Sequence, residues 1–198
     1  MNKKFFAALA SATMAFTASG SIAVFADDFV EESNIVDNGD VKPTDTKVKW
    51  NQENFGALAT KEGTIGNVTF SAEPEIKDGY VKTDDLEKIT TITLNDGFKG
   101  EVKGLEYFTK LENFTASANT VEVTNKTLDF SENTKLGTLE VTKAAELTGI
   151  TLPGTYKNEK DEDVRALTSL TLDGTKLTSL DLSEQEKLDV VLVMFFVF

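Results

Sequence analysis

The carboxylates of one short segment have part of the spacing that a calcium-binding loop requires. The string DGYVKTDD (78–85) matches the second half of an EF-hand-type calcium loop. The positions of the first and third ligands are Pro74 and Ile76, whose side chains offer no oxygen. Asp78 and Asp85 remain as metal ligands, too few for the about six to eight oxygens that calcium prefers. We therefore interpret the loop as vestigial, with at most weak calcium binding and no required cofactor.

The residue types that are missing restrict the chemistry further. The chain has no histidine and no cysteine, which removes imidazole and thiolate bases, nucleophiles and metal ligands. Two of the 33 acidic residues could still hydrolyse a glycan as a carboxylate pair. None of them lies in an apolar, glycine-framed context that would suggest a raised pKa. We expect a binding protein and not an enzyme, with a carboxylate-based glycan hydrolase as the alternative.

Leucine and other apolar residues recur in a common pattern between Ile89 and the C-terminus, which we call the leucine grid. This pattern predicts the scaffold of the fold. LENFTASANTV (111–121) fits the pattern LxxLxLxxNxL, and LTSLTLDGTKL (167–177) repeats it with Thr175 in the asparagine slot. Each copy predicts a short strand whose leucine-slot residues point inward and whose backbone pairs with neighbouring copies in a parallel sheet. The asparagine-slot side chain, Asn119 in the first copy, is predicted to satisfy backbone groups where the chain bends away. The first leucine slots define five coils, which begin at Ile89, Leu111, Leu136, Leu167 and Leu188.

A second string repeats between the leucine slots. TLDFSENTKL (127–136) and SLDLSEQEKL (179–188) lie 52 residues apart. The alternation of polar and apolar residues would also fit a β-sandwich, but a sandwich gives no reason for a repeated ten-residue string. Self-similarity at this scale favours a solenoid. The longest interval between first leucine slots, from Leu136 to Leu167, contains a charged insertion (153–166). We predict that this insertion bulges from the solenoid edge as a loop.

Three adjoining runs carry a family resemblance. DDLEKITTITL (84–94), GLEYFTKLENF (104–114) and LDFSENTKLGTLEV (128–141) resemble secreted leucine-rich-repeat surface proteins of Gram-positive and gut bacteria, internalin-like in the broad sense. The resemblance covers about residues 50–188. It implies a leucine-rich-repeat solenoid of the α/β class, a parallel sheet on one face, and recognition of a protein or glycan ligand at the cell surface. A purely structural envelope component is a further alternative.

The N-terminus predicts export. Residues 1–26 have the basic start, apolar stretch and small-residue cleavage site of a signal peptide, which would end at Ala26. Cleavage would remove Lys3 and Lys4 and leave 18 basic and 33 acidic residues, so the net charge would change from −13 to −15. That charge makes nucleic acid and anionic membranes poor partners. Residues 27–46 are acidic and aperiodic, which indicates a flexible linker.

A small helical cap is predicted over residues 47–88. WNQENFGALATKEG (50–63) and TDDLEKI (83–89) each predict a short helix, the second with Thr83 as its N-cap. NVTFSAE (67–73) alternates between them like a short strand. Such a segment would cover the exposed first coil of the solenoid.

The solenoid is predicted to span residues 89–198. Its last nine residues, VVLVMFFVF, are wholly apolar but too short to cross a bilayer, and we expect no transmembrane segment in the mature chain. Phe196 occupies the asparagine slot of this last coil, so we interpret the C-terminus as interrupted or truncated. We expect a secreted protein, with any association with the cell wall made through a region missing here.

The residues beside the inward leucines predict where a ligand would bind. They point outward from the strands and form a shallow, hydroxyl-rich face. This predicted ligand-binding face consists of Thr91, Thr93, Asn113, Thr115, Thr138, Glu140, Ser169 and Thr171.

Overall fold

The computed structural model describes residues 46–61 and 63–195, most of which form a β-solenoid of about five turns. The predicted signal peptide (1–26) and all but the last residue of the predicted linker (27–46) lie outside the described residues, so both stay predictions. Phe196 and the two residues after it also lie outside them.

One strand from each coil joins the main sheet, which we call the front sheet. Its parallel strands are β7 (Thr91–Leu94), β9 (Asn113–Ala116), β12 (Thr138–Thr142), β16 (Ser169–Thr175) and β17 (Val190–Phe195). Each pairs in parallel with the next in that order, and the antiparallel strand β4 (Val68–Phe70) adds to β7. Parallel pairing of successive coils confirms the solenoid and rules out the β-sandwich, whose sheets are antiparallel.

The leucine spacing explains what the front sheet buries. Every second residue of a strand points to the same side. The inward residues of the first four parallel strands are completely buried: Ile92, Leu94, Phe114, Ala116, Leu139, Val141, Leu170 and Leu172. The leucine slots that begin the first four coils are also completely buried, whereas Leu188 is partly buried. Each coil therefore covers the apolar side chains of its neighbour, as the predicted repeat requires.

The second half of each coil, which we call the back, is less regular. β8 (Lys99–Gly100) pairs in parallel with β10 (Glu122–Val123), and β11 (Thr127–Asp129) pairs in parallel with β13 (Gly149–Thr151). A short 3-10 helix, Leu105–Tyr107, lies in the back of the first coil. The back is thus joined by short strand pairs and not by one continuous sheet.

The charged insertion (153–166) contains a β-hairpin, whereas we predicted a loop. β14 (Tyr156–Lys157) pairs antiparallel with β15 (Asp163–Val164). The ammonium group of Lys135, in the back of the second coil, lies 3.2 Å from the centroid of the Tyr156 ring. This cation–π contact holds the hairpin against the solenoid.

The N-terminal segment contains more strand than helix. Its further strands are β1 (Lys47–Lys49), β2 (Ala59–Lys61), β3 (Thr64–Ile65), β5 (Ile76–Lys77) and β6 (Tyr80–Lys82), and its helices are α1 (Gln52–Phe55) and α2 (Thr83–Leu86). β1 and β5 flank β6 in an antiparallel sheet, and β2 pairs with β3. Because each helix has only four residues, the predicted helical cap is not confirmed.

A glycine explains why the helix predicted over residues 50–63 ends early. Gly56 directly follows α1 and has a φ of +59°, a conformation that glycine adopts readily and that ends the helix. The chain turns again at Gly63, where φ is +72°, and pairs β2 with β3, so the predicted helix is wrong beyond Phe55. The apolar residues Phe55, Leu58 and Ala59 of this segment are completely buried.

The predicted asparagine slots do not contain the buried amides. Asn119 is exposed, and Thr175 is completely buried with no hydrogen-bond partner for its hydroxyl among the described residues. The buried side-chain amides of the described residues lie in the back, at Asn125, Asn133 and Gln185. Asn125 accepts a hydrogen bond from the amide of Val102 at 2.7 Å and donates one to the carbonyl of Val102 at 2.8 Å. Side-chain amides therefore satisfy buried backbone groups in the back and not at the predicted slots.

Candidate ligand-binding face

The eight residues predicted to bind a ligand lie on the outer side of the front sheet, in two rows that cross the strands. The register aligns Thr91, Asn113, Thr138 and Ser169 in one row and Thr93, Thr115, Glu140 and Thr171 in the other. Neighbouring strands lie about 4.8 Å apart, and alternate residues of one strand lie about 6.6 Å apart. The structure therefore brings all eight residues together in a regular grid.

The face is polar and partly exposed. Each of its eight residues lies between the exposed and buried classes, and each is flanked in its strand by a buried residue. Asn113 donates a long hydrogen bond of 3.5 Å to the hydroxyl of Thr91. Hydroxyl groups both donate and accept hydrogen bonds, whereas the carboxylate of Glu140 only accepts them.

Thr69 extends the second row and was not predicted as part of the face. It lies opposite Thr93 in the antiparallel pair of β4 and β7. Its hydroxyl exchanges hydrogen bonds with the Asn95 side chain, at 3.0 and 3.2 Å. The alternation in residues 67–73 predicted a strand, and β4 confirms it. The alternation alone could not predict that this strand pairs with β7.

The face changes character towards β17. Asp173 lies in a third outward row beyond Glu140, and neither carboxylate forms an ion pair within the described part of the chain. On β17 the three rows continue as Val190, Leu192 and Met194, which are 55%, 47% and 48% exposed. The outer side therefore runs from hydroxyl groups through two carboxylates to apolar side chains.

The two predicted calcium ligands lie in different elements. Asp78 and Gly79 form the turn between β5 and β6 with φ of +52° and +80°, the signs of a tight hairpin turn and not of an EF-hand loop. Asp85 lies in α2 and accepts a hydrogen bond of 2.7 Å from Lys88, which raises the pKa of Lys88. Thr83, the predicted N-cap, is instead the first residue of α2. The interpretation of the loop as vestigial, with at most weak calcium binding, stays a prediction.

Among the described residues, no group of three or more acidic side chains is placed to hold a metal ion. None of their helices has the length and apolar character of a membrane-crossing helix.

Comparison of the chain with protein-family models, with curated proteins and with solved structures finds no match in any of the three.

Proposed function

We propose that this chain is a leucine-rich-repeat binding module. In this proposal it is exported, recognises a protein or glycan ligand at the cell surface through the outer side of the front sheet, and performs no catalysis.

The observation that carries this proposal is the common register of the front strands. Because Thr115, Glu140 and Thr171 align across three adjacent coils, equivalent side chains face one ligand together. Five strands span about 19 Å from first to last, which suits an extended ligand. Solenoids present such strand faces as continuous binding surfaces.

The chemistry of the face favours a polar ligand. Six of its eight residues carry hydroxyl groups, which can pair with backbone amides of a peptide or with sugar hydroxyls. The eight include no tryptophan, tyrosine or arginine, the residues that most often anchor tight protein interfaces. We therefore propose recognition by many modest polar contacts spread over several coils.

Burial supports the assignment to leucine-rich repeats. In the clearest copy, Leu111, Phe114, Ala116 and Val121 occupy the apolar slots and are buried. The exposed Asn119 departs from the pattern, and the back amides replace its expected role. Export is proposed from the sequence of residues 1–26, and mass spectrometry of the secreted product should find Asp27 as the first residue.

A matched pair of charge reversals tests the binding face. The whole chain would be labelled and applied to arrays of glycans and purified surface proteins. Glu140→Arg places a large cation at the centre of the face. Glu159→Arg makes the same charge change on the exposed loop of the back hairpin. We expect Glu140→Arg to reduce binding to the recognised ligand at least about tenfold, since like-charge or steric conflict at a central contact costs more than about 1.4 kcal/mol.

Two results would contradict the proposal. One is equal binding by both variants, which would place the ligand elsewhere. The other is turnover of an array glycan by the wild-type chain, which would restore the hydrolase alternative.

A further inference from the structure

A cleft of about 410 Å³ opens in the back of the first two coils, away from the front sheet. Its walls come from α1, from the segment that leads into the 3-10 helix, and from the segment that includes β11. The partly exposed side chain of Tyr107 forms its apolar wall, and the buried residues Val102, Leu105 and Leu128 lie beneath its surface. The volume lies within the range of ligand-binding pockets, about 300–1,000 Å³.

A close approach between α1 and the first coil shapes this cleft. Gly104 has a φ of +73°, and a Cβ atom there would lie 2.6 Å from the Phe55 ring and 2.9 Å from the carbonyl oxygen of Asn54. The centroids of the Phe55 and Tyr107 rings lie 5.7 Å apart. Glycine is therefore needed where the coil meets α1, and the contact with Phe55 positions the tyrosine wall.

Three carboxylates border the cleft. Glu53, Glu106 and Asp129 line it and are exposed, and none of them is paired with a lysine or arginine of the described residues. The lining also includes Lys103, but its ammonium group lies 3.2 Å from the carboxylate of Glu101. The charge presented to a ligand is therefore negative.

We propose that this cleft binds a cationic segment of a partner polypeptide. A lysine or arginine side chain would lay its aliphatic stem along the apolar wall and place its charged end among Glu53, Glu106 and Asp129. Tyr107 adds attraction, because a cation is stabilised over an aromatic ring. Neither the strand register nor the proposed ligand face contributes to this site, so the two proposals stand independently.

Charge favours a cationic polypeptide over two other possible occupants of the cleft, the chain's own N-terminal segment and a neutral oligosaccharide. The chain's own residues 27–45 contain seven acidic residues and one lysine, so the border carboxylates would repel them. A neutral oligosaccharide would gain hydrogen bonds but nothing from the unpaired charges. A basic polypeptide uses both the charges and the apolar wall.

An NMR titration of the whole, isotopically labelled chain tests the proposal with defined probes. These are the end-blocked tripeptide Lys-Leu-Lys, its counterpart Glu-Leu-Glu, and an uncharged trisaccharide of N-acetylglucosamine. We expect Lys-Leu-Lys to produce saturable shifts at the amides of Gly104, Glu106 and Asp129, and the other two probes to leave these amides unshifted. Raising the salt from about 50 mM to about 500 mM should weaken the binding several-fold, because exposed charges are screened.

Charge-neutralising variants give the decisive comparison. Glu106→Gln with Asp129→Asn keeps side-chain shape and should lower the affinity for Lys-Leu-Lys about five- to tenfold, as expected for the loss of two exposed ion pairs. Glu159→Gln with Asp161→Asn makes the same charge change on the exposed hairpin loop and should leave the affinity unchanged. Equal affinity in both double variants would overturn the proposal, because the peptide would then be responding only to net charge. Saturable shifts with the trisaccharide in place of the peptide would also overturn it.

Discussion

The front sheet and the back of the solenoid belong to the same coils but are held together in different ways. The front sheet is one ladder of five parallel strands with apolar side chains beneath it. The back consists of short strand pairs, buried amides such as Asn125 and Asn133, and one inserted hairpin. A leucine grid therefore dictates one side of a coil and leaves the other side free to differ between coils. The repeated side offers an extended face, and the variable side offers the cleft of the first two coils.

The largest expected effect is the loss of stability when a leucine of the front sheet is replaced by alanine. Leu170 lies between Leu139 of the preceding strand and Val191 of the next, and it is completely buried. Leu170→Ala should lower the free energy of unfolding by about 2–5 kcal/mol, because it leaves a cavity between coils. Urea denaturation measures this loss.

Thr168→Ala is the control for this substitution. Thr168 is exposed, and its hydroxyl donates to the carbonyl of Gly137 at 3.1 Å. Its replacement should cost less than about 1 kcal/mol. Similar losses for the two variants would show that Leu170 does not point inward.

The next effect concerns a buried amide of the back. Asn133 is completely buried and donates hydrogen bonds to the carbonyl oxygens of Leu105 at 2.8 Å and Phe108 at 2.9 Å. Asn133→Ala removes both hydrogen bonds, each contributing about 0.5–1.5 kcal/mol, so it should cost about 1–3 kcal/mol of unfolding free energy. Each carbonyl keeps one backbone partner, the amide of Phe108 or of Leu111. Gln185 occupies the same place in the repeated string, and its side-chain oxygen, like that of Asn133, is buried without a partner among the described residues. Its side chain donates no hydrogen bond to a described carbonyl, which distinguishes it from Asn133. Gln185→Ala should therefore cost less, and the reverse order in thermal denaturation would show that this amide contact does not hold the back together.

A smaller, local effect is expected at the hairpin. Lys135→Met keeps an apolar stem against Tyr156 but removes the cation, whose contact with this partly exposed ring contributes about 0.5–1 kcal/mol. Hydrogen exchange of the amides in Tyr156–Lys157 should become faster while the front-sheet amides keep their protection. Faster exchange throughout the front sheet would contradict the separation of the two regions.

The smallest effect is a dependence on pH at the junction of the first two coils. Asp96 accepts hydrogen bonds from the backbone amide and the hydroxyl of Thr120, and these lower its pKa. Because the folded pKa lies below the unfolded value of about 3.9, the stabilisation is present above that value and is lost as the pH falls through the folded pKa. Melting temperatures between about pH 6 and pH 2 should therefore fall slightly less steeply for Asp96→Asn than for wild type. An identical slope would show that the contact contributes nothing.

The front sheet could be predicted well from the sequence, because the burial of apolar side chains enforces the two-residue alternation along each strand. A shift of one residue would have exposed Phe114 and Leu139 and buried Thr115 and Glu140, so the leucine slots determined both the inward and the outward rows. Burial imposes no such period on the N-terminal segment. There, Asp78-Gly79 is interpreted from the sequence as part of a vestigial calcium loop, and in the structure it forms the tight hairpin turn between β5 and β6, which this dipeptide also favours.

The cleft could not be predicted from the sequence. Its border carboxylates, Glu53, Glu106 and Asp129, come from three distant segments, and no periodic pattern relates them. Their proximity depends on α1 packing against the back at Gly104. Such long-range placement follows from tertiary packing and not from local propensity.

The register of the front sheet is the central claim, since the proposed binding face depends on it. Nuclear Overhauser effects between backbone protons of neighbouring strands measure this register directly. The account predicts that the backbone protons of Glu140 contact those around Thr115 on one side and those around Thr171 on the other. Contacts displaced by one residue would turn the outward rows inward, and antiparallel contacts between these strands would contradict the solenoid itself.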